Sequence, residues 1–344
     1  MNRKKFVAVF MIVGTIMASS FAFYFYQMLF TPNILVERND ELFAIAPGAT
    51  FDDVQDDLYD LGIVNDLVSF SFLAKIRDYD DYVKPGLYQL KKDMSNLQAI
   101  NLLRSGAQQP VRVTFTVARK IEELPEKIAP YVHFSEEDLS KLMLSESVAE
   151  SYGFKSEEFI SMFIPNTYEV YWTITPEQFL DRMKKEYDRF WNDERLAKAE
   201  ALGLNAKEVS IMASIVESEV SFIDEAPKVA GMYLNRLNKG MLLQADPTLK
   251  FAIGDFAIRR VLNKDKEIES PYNTYKYEGL PPGPISLPTI PGLNAVLNAE
   301  NHNYLYLCAK ADFSGYHAFA TNLTEHNKNA RELHRALNKA KIYR

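Results

Sequence analysis

The stretch Ile211-Met212-Ala213-Ser214-Ile215-Val216-Glu217-Ser218-Glu219-Val220 dominates the interpretation of this 344-residue chain. Apolar residues recur along it with the period of an α-helix. Asn205 and Glu208, which precede it, form the capping-box pattern that opens a helix. The stretch therefore predicts an amphipathic helix from Asn205 to Val220 that carries two glutamates in its last turn.

These two glutamates point in different directions. At about 100° per residue, Glu219 falls inside the apolar arc of the helix, whereas Glu217 falls on its edge. A catalytic acid needs one dry side, which raises its pKa, and one side open to the substrate. Glu217 fits this description better, whereas Glu219, inside the apolar arc, needs a partner such as Arg236. The alternative places both on a solvated face, which the position of Glu219 resists.

The first 30 residues predict a membrane anchor. Phe6–Phe30 is a run of 25 uncharged residues. As a helix this run would span roughly 37 Å, more than a bilayer core of about 30 Å. The basic residues before it are Arg3, Lys4 and Lys5. The positive-inside rule then places residues 1–5 in the cytoplasm and the chain after Thr31 outside. A cleaved signal peptide is the alternative, but its apolar region is shorter, about 7–15 residues.

Charge and cysteine content limit the possible partners. Three of the 39 basic residues lie in residues 1–30, which leaves 36 basic against 46 acidic residues beyond them, a net charge of −10. An acidic exported region argues against binding nucleic acid and against docking on anionic lipid. The single cysteine, Cys308, excludes internal disulfides.

The fold class expected from these patterns is α+β behind a single N-terminal transmembrane helix, residues 6–30. Residues 31–40 are expected to form a short extended tether. Residues 41–108 predict a strand, two helices and a returning strand, an order that resembles a LysM module, a fold that binds N-acetylglucosamine polymers. Residues 109–344 predict a larger catalytic domain of mixed helices and short strands.

Polar and aromatic residues cluster in loop segments of the larger region. Aromatic faces stack on sugar rings, and Asn, Gln and Asp side chains bond sugar hydroxyl and acetamido groups. Any one such segment is more often a plain turn, but five in one domain favour a glycan groove. The five segments are Ile164–Tyr168, Leu243–Thr248, Tyr272–Tyr275, Gly279–Ile285 and His317–Asn327.

Other catalytic chemistries lack their motifs in this sequence. The five histidines show no zinc-binding spacing, and Walker, dinucleotide-binding and Gly-x-Ser-x-Gly motifs do not occur. Cys308 lies in an apolar strand, where a core role is favoured over a nucleophilic one. We therefore predict no metal and no cofactor, and acid catalysis by a carboxyl group on a polymer outside the membrane.

Six motifs follow one another along the chain. They are Ala213–Glu219, Asn235–Leu237, Leu243–Thr248, Tyr272–Tyr275, Gly279–Ile285 and His326–Asn327. Together they strongly resemble the YceG-like endolytic murein transglycosylases, and the resemblance covers nearly the whole chain. It implies a bacterial cell-wall enzyme that cuts nascent peptidoglycan strands internally, near the membrane, in partnership with peptidoglycan synthases.

The resemblance also implies roles for particular residues. The catalytic glutamate of the family matches Glu217. Two departures affect substrate detail more than activity: Asn166 replaces a usual aspartate, and Leu287–Pro291 replaces a simpler turn. The positions expected to line or brace the substrate groove are Glu219, Gln244, Asp246, Tyr272 and Asn273, joined by Tyr168 from the first loop segment.

The implied reaction needs one carboxyl group. Protonated Glu217 would donate its proton to the glycosidic oxygen between N-acetylmuramic acid and N-acetylglucosamine, then accept the proton of the muramic C6 hydroxyl as a 1,6-anhydro ring closes. Two alternatives remain open. One is a two-carboxylate muramidase in which Asp246 activates water. The other is a non-catalytic scaffold that only binds glycan.

Overall fold

The computed structural model describes residues 3–37, 42–258 and 261–340. The chain forms two compact units. Unit 1 contains the residues up to Val113 together with Tyr131–His133 and Glu169–Ile174, and unit 2 contains the others. Both helices and short strands occur in each unit, so the predicted α+β class is confirmed.

Unit 1 consists of one long helix and a small α+β module. Its β1 and β2 pair antiparallel, with Leu42 opposite Gln89. The predicted order of strand, two helices and strand is confirmed, whereas the likeness to a LysM module stays a prediction. The elements are α1 (Arg3–Phe30), β1 (Leu42–Ile45), α2 (Phe51–Asp60), α3 (Leu67–Ile76), β2 (Gly86–Gln89) and α4 (Asn96–Ser105).

Helix α1 is the one described helix that is long and apolar enough to cross a membrane. Its most apolar 18-residue window has no buried residue. The helix has 28 residues, which correspond to a length of about 42 Å at 1.5 Å per residue. By length and composition, α1 therefore qualifies as a membrane span.

The segment that follows α1 is packed against the module. Residues 31–40 were expected to form a tether, but Ile34 and Val36 are buried in the same core as Phe43 and Ile45. An isolated bridge also pairs Ile34 with Val64. Residues 31–37 therefore belong to the folded module, and the remainder of the expected tether lies outside the described residues.

A network of buried amides connects α1 to the module. The Asn33 side chain donates to the backbone oxygen of Asp66 at 3.0 Å and accepts from its backbone nitrogen at 2.7 Å. Asn33 also donates to Asn96, which in turn donates to the backbone oxygen of Met28 at 3.1 Å and to Ser69 at 3.0 Å. Because buried polar groups are costly unless they are paired, this network fixes the end of α1 on the module.

Unit 2 is mainly helical. Strands β3 and β4 pair with each other, and the division between the units crosses both of them. Strands β5 and β6 form an antiparallel pair. The elements are β3 (Pro110–Phe115), α5 (Leu124–Ile128), α6 (Glu136–Met143), α7 (Glu146–Ser151), β4 (Asn166–Tyr171), α8 (Pro176–Phe190), α9 (Asp193–Ala201), α10 (Ala206–Glu219), α11 (Ala226–Asn238), α12 (Asp246–Ile253), α13 (Ile290–Leu297), β5 (Tyr306–Ala309), β6 (His317–Ala320) and α14 (Leu323–Lys339).

Helix α10 is the central helix of unit 2. It packs against α11, α12 and α13, and every residue from Val209 to Val216 is buried. Asn205 caps it as predicted, because its side chain accepts from the backbone of Glu208 and the Glu208 carboxylate accepts from the backbone of Asn205. The predicted helix is thus confirmed, and it ends at Glu219.

Candidate functional site

The C-terminal turn of α10 carries both candidate glutamates, and the structure gives them different surroundings. Val220 is the C-cap and has extended backbone, so the helix stops directly after Glu219. Both side chains are partly buried. Because residues two apart on a helix point roughly 200° from each other, the two carboxyl groups reach different neighbours.

Glu217 contacts the start of helix α13. Its carboxylate accepts a hydrogen bond from the backbone nitrogen of Thr289 at 2.8 Å and another from the Thr289 hydroxyl. Thr289 is the N-cap of α13, and its hydroxyl also accepts from Gly292. A side chain on Gly292 would overlap the Glu217 carboxyl group, so glycine at this position lets the carboxylate lie against the start of α13. Burial raises the pKa of Glu217, and the two bonds from Thr289 oppose that rise.

Glu219 instead lines a cavity of about 380 Å³ in unit 2. Tyr233 from α11 donates a hydrogen bond to its carboxyl group. Burial is the main cause that raises the pKa of Glu219, and the negative charge of Asp246 adds to the rise, whereas His317 and Lys250 oppose it. A carboxyl group with a raised pKa beside a cavity is the arrangement that general acid catalysis requires.

Arg236 lines this cavity and joins three segments of the chain around it. It is only 7% exposed. Its guanidinium donates to the backbone oxygens of Leu242 at 2.9 Å and Leu305 at 3.2 Å, and to the side-chain oxygen of Gln244 at 2.7 Å. The partner predicted for Glu219 therefore lines the same cavity, where its guanidinium bonds these three oxygens.

Gln244 and Asp246, two of the positions predicted to bind substrate, both line the cavity. Gln244 has a φ of 51°, in the left-handed region that is uncommon for residues other than glycine. Its backbone nitrogen donates to the backbone oxygen of Thr274 at 3.0 Å. The Asp246 carboxylate accepts from the Tyr275 hydroxyl at 2.5 Å. The Leu243–Thr248 loop and the Tyr272–Tyr275 turn are thus joined beside Glu219.

Two other predicted groove residues, Asn273 and Tyr168, do not line this cavity. Asn273 is fully buried, and its amide bonds the backbone of Lys266, Ile268 and Tyr275, so it shapes its own loop. Tyr168 is 5% exposed and bonds the backbone oxygen of Ile164. Both side chains are buried and bonded to backbone groups, so their predicted contact with a substrate stays a prediction that this arrangement does not favour.

Tyr272 lines a second cavity in unit 2, of about 370 Å³. Its ring lies 4.7 Å from that of Phe251, and Arg119 borders the same space. Helix α12 connects the two cavities, because Asp246 at its start borders the first and Phe251 near its end borders the second. Tyr272 therefore has an accessible position, but in a different cavity from Glu219.

Sequence reasoning missed several cavity residues. Tyr233 lies just before the Asn235–Leu237 motif, and Tyr275 ends the Tyr272–Tyr275 motif. Only the fold brings the Tyr233 hydroxyl to Glu219 and the Tyr275 hydroxyl to Asp246. His317 was named as the first residue of the loop segment His317–Asn327, and it lines the cavity as well. Within the described ranges, no group of three or more His, Cys, Asp or Glu side chains is placed to hold a metal ion.

The fold and the cavity define an α+β protein whose central helix presents a partly buried carboxyl group to an open polar cavity. Residues 43–332 match the YceG-like family, and the chain belongs to that family. A crystal structure of a YceG-like protein from Listeria monocytogenes superposes with a TM-score of 0.55 at 27% identity, over 84% of this chain and 98% of that chain.

Two curated relatives carry the name endolytic murein transglycosylase. The one from Streptococcus pneumoniae (serotype 2, strain D39) is 25% identical over 362 residues, which cover 96% of this chain and 65% of the relative. The one from Bacillus subtilis (strain 168) is 45% identical over 117 residues, which cover 34% of this chain and 32% of the relative. The chain thus spans slightly less than two thirds of the first relative's length.

Proposed function

We propose that this chain is an endolytic lytic transglycosylase that cleaves the β-1,4 bond between N-acetylmuramic acid and N-acetylglucosamine in peptidoglycan strands. Two relatives that match this chain are named endolytic murein transglycosylases. The observation that carries the proposal is the partly buried Glu219 at the edge of a polar cavity, with its pKa raised by burial. No cofactor is part of the proposed reaction.

We assign the role of acid to Glu219, where the sequence had predicted Glu217. Both bonds of the Glu217 carboxylate go to Thr289, which begins α13, and these bonds serve the packing of two helices. Glu219 borders the cavity together with Gln244, Asp246 and Tyr275. A proton donor must reach the glycosidic oxygen, so access to the cavity favours Glu219 over Glu217.

The reaction then proceeds with one carboxyl group in two roles. Protonated Glu219 transfers its proton to the glycosidic oxygen, and the bond from that oxygen to the muramic C1 breaks. The muramic C6 hydroxyl oxygen bonds to C1, and the Glu219 carboxylate takes the hydroxyl proton, which restores the acid. Because the attacking hydroxyl belongs to the same sugar, its proximity replaces the capture of water.

A two-carboxylate hydrolase is the second candidate function. It is favoured by one observation, that Asp246 lines the same cavity as Glu219 and acts electrostatically on it. In that reaction Asp246 would activate a water molecule, which adds to C1 in place of the C6 hydroxyl. The bond that Asp246 accepts from Tyr275 competes with this role, so we prefer the transglycosylase.

The products distinguish these reactions. We expect the purified full-length protein in detergent to shorten uncrosslinked glycan strands and to leave 1,6-anhydro ends. Mass spectrometry detects these fragments because each is lighter by one water than the corresponding fragment with a reducing end. Reducing ends in place of anhydro ends would support the hydrolase. Intact strands under conditions where the protein is folded would contradict both reactions and favour the non-catalytic scaffold.

We also propose that α1 anchors the protein in the cytoplasmic membrane, with residues 1–5 in the cytoplasm and both the small α+β module of unit 1 and unit 2 outside. The length and apolar character of α1 and the three basic residues at its start support this orientation. There the enzyme would meet nascent strands beside peptidoglycan synthases and terminate strand elongation, as the family resemblance implies.

Protease accessibility tests the orientation. In intact protoplasts, added protease should digest unit 2, while an epitope tag placed before Met1 stays protected until the membrane is permeabilised. The tag is detected by immunoblotting. A cytoplasmic protein of known location serves as the control for membrane integrity. Digestion of the tag in intact protoplasts would contradict the proposed topology, and protection of unit 2 would do the same.

A further inference from the structure

We propose that Glu225 and His317 form a positioning pair that holds a histidine ring beside Glu219, so that the charge of that ring sets how readily Glu219 gives up its proton. This inference rests on the proposed catalytic role of Glu219. It assigns a function to two residues outside the motifs that the sequence resemblance supplies.

The contacts of Glu225 fix His317 at two points. One carboxylate oxygen accepts from the His317 backbone nitrogen at 2.8 Å, and the other lies 2.7 Å from Nδ1 of the ring. The side chains are 6% and 11% exposed, respectively. With Nδ1 engaged by Glu225, Nε2 is the ring nitrogen available to the cavity. One buried carboxylate thus fixes both the backbone and the ring orientation of His317.

The fold brings this pair to Glu219 from two directions. Glu225 lies six positions after Glu219, in the 3-10 turn Ile223–Glu225 that leads from α10 into α11. His317 is the first residue of β6, far along the chain, and it lines the same cavity as Glu219. The ring is therefore held by a buried carboxylate on the wall of the cavity that the candidate catalytic acid also lines.

The Glu225–His317 pair is not needed merely to attach β6 to the turn between α10 and α11. Tyr316 and Asp224, the immediate neighbours of the pair, already join the same two segments through a hydrogen bond of 3.0 Å. A buried ionisable pair is costly in comparison with apolar packing. The placement of the ring on the cavity wall is what the Glu225–His317 pair adds. In its charged form the ring lowers the pKa of Glu219, which burial raises.

Several other ionisable groups also act on Glu219 or border the cavity, and they stay constant in the test below. They are Tyr233 and Arg236 from α11, Asp246 and Lys250 from α12, Tyr275, Tyr306 and Cys308 from β5, and His326 from α14. Because none of them is altered, a change in the titration of Glu219 reports on the Glu225–His317 pair.

The experiment compares the pH dependence of kcat/KM for strand cleavage in the full-length wild type, His317→Gln and Glu225→Gln. Activity that needs protonated Glu219 falls as pH rises through its pKa. Burial raises the pKa of Glu219, and a charged His317 lowers it. Removing His317 therefore removes the lowering effect, and the pKa of Glu219 rises. We expect this high-pH limb to move to higher pH in His317→Gln, and to move in the same direction in Glu225→Gln.

Asp224→Asn is the matched control, because it alters the neighbouring bond to Tyr316 without touching His317. We expect its high-pH limb to stay at the wild-type position. If His317→Gln loses activity equally at every pH, the pair is only structural and the proposal is overturned. The pH dependence of His317→Gln tests the proposal by itself, even if Glu225→Gln fails to fold. A wild type without cleavage would instead overturn the proposed function itself.

Discussion

Glu219→Gln is expected to lose most strand-cleaving activity while the protein stays folded. The amide cannot donate the proton that the departing oxygen requires, and a general acid typically contributes about 10²–10⁴-fold to the rate. The substitution keeps the size of the side chain and removes the need to bury an ionisable group. The measurement is the rate of anhydro-end formation on uncrosslinked strands, with circular dichroism of the same samples to report folding.

Glu217→Gln is the matched control for this experiment. It makes the same chemical change two residues earlier in the same helix, where the carboxylate contacts Thr289. We expect stability to fall by about 1 kcal/mol, because one charge-assisted hydrogen bond is weakened. Activity should stay within roughly tenfold of the wild type, far above that of Glu219→Gln. A Glu217→Gln protein that is folded but inactive, beside an active Glu219→Gln protein, would return the acid role to Glu217.

Arg236→Met is expected to produce the largest loss of stability in unit 2. The methionine removes three hydrogen bonds and leaves the oxygens of Leu242, Leu305 and Gln244 without their donor. An unsatisfied buried group costs about 1–3 kcal/mol. Since the loop that carries two of these oxygens can partly relax toward water, we expect a total loss of about 3 kcal/mol in the free energy of unfolding of unit 2.

Tryptophan fluorescence makes this prediction measurable. The chain has two tryptophans, Trp172 in unit 1 and Trp191 in unit 2, and Trp191 is buried. In a Trp172→Phe background, urea titration of the full chain in detergent follows unit 2 alone. Arg189→Met is the control, because the Arg189 side chain is 74% exposed and its loss should cost less than about 1 kcal/mol. Equal effects of the two substitutions would contradict the role given to Arg236.

Sequence patterns predicted the local structure of this protein well. The capping box at Asn205 and Glu208 is present, and so is the order of elements in the small module. These features depend on residues a few positions apart, whose spacing the sequence shows directly. The long run of uncharged residues likewise forms the single helix α1.

The same patterns misjudged how the chain packs around α10. Helical periodicity assigned Glu217 to an open edge and Glu219 to an apolar arc, as though only one face of α10 were covered. In the fold, α13 arrives from more than seventy residues later and supplies Thr289 to Glu217. The side of Glu219 borders a cavity built from α11, α12, β5 and β6. Burial set by distant segments leaves no trace in local spacing.

Asn273 and Tyr168 show a related limit. Both are polar or aromatic residues in loop segments, which is the composition of a glycan groove. Asn273 uses its amide to satisfy the backbone of its own loop, and Tyr168 uses its hydroxyl for Ile164. Composition identifies side chains that are able to bond a ligand, but buried backbone groups compete for the same atoms.

The amide network between α1 and the small module has a mechanical consequence. The Asn96 side chain donates to the backbone oxygen of Met28, and the Asn33 side chain donates to that of Asp66. Asn33 also donates to the side-chain oxygen of Asn96. Because these bonds are buried, breaking them would cost free energy. A rotation of α1 about its own axis would therefore strain the module directly, instead of being absorbed by a flexible linker.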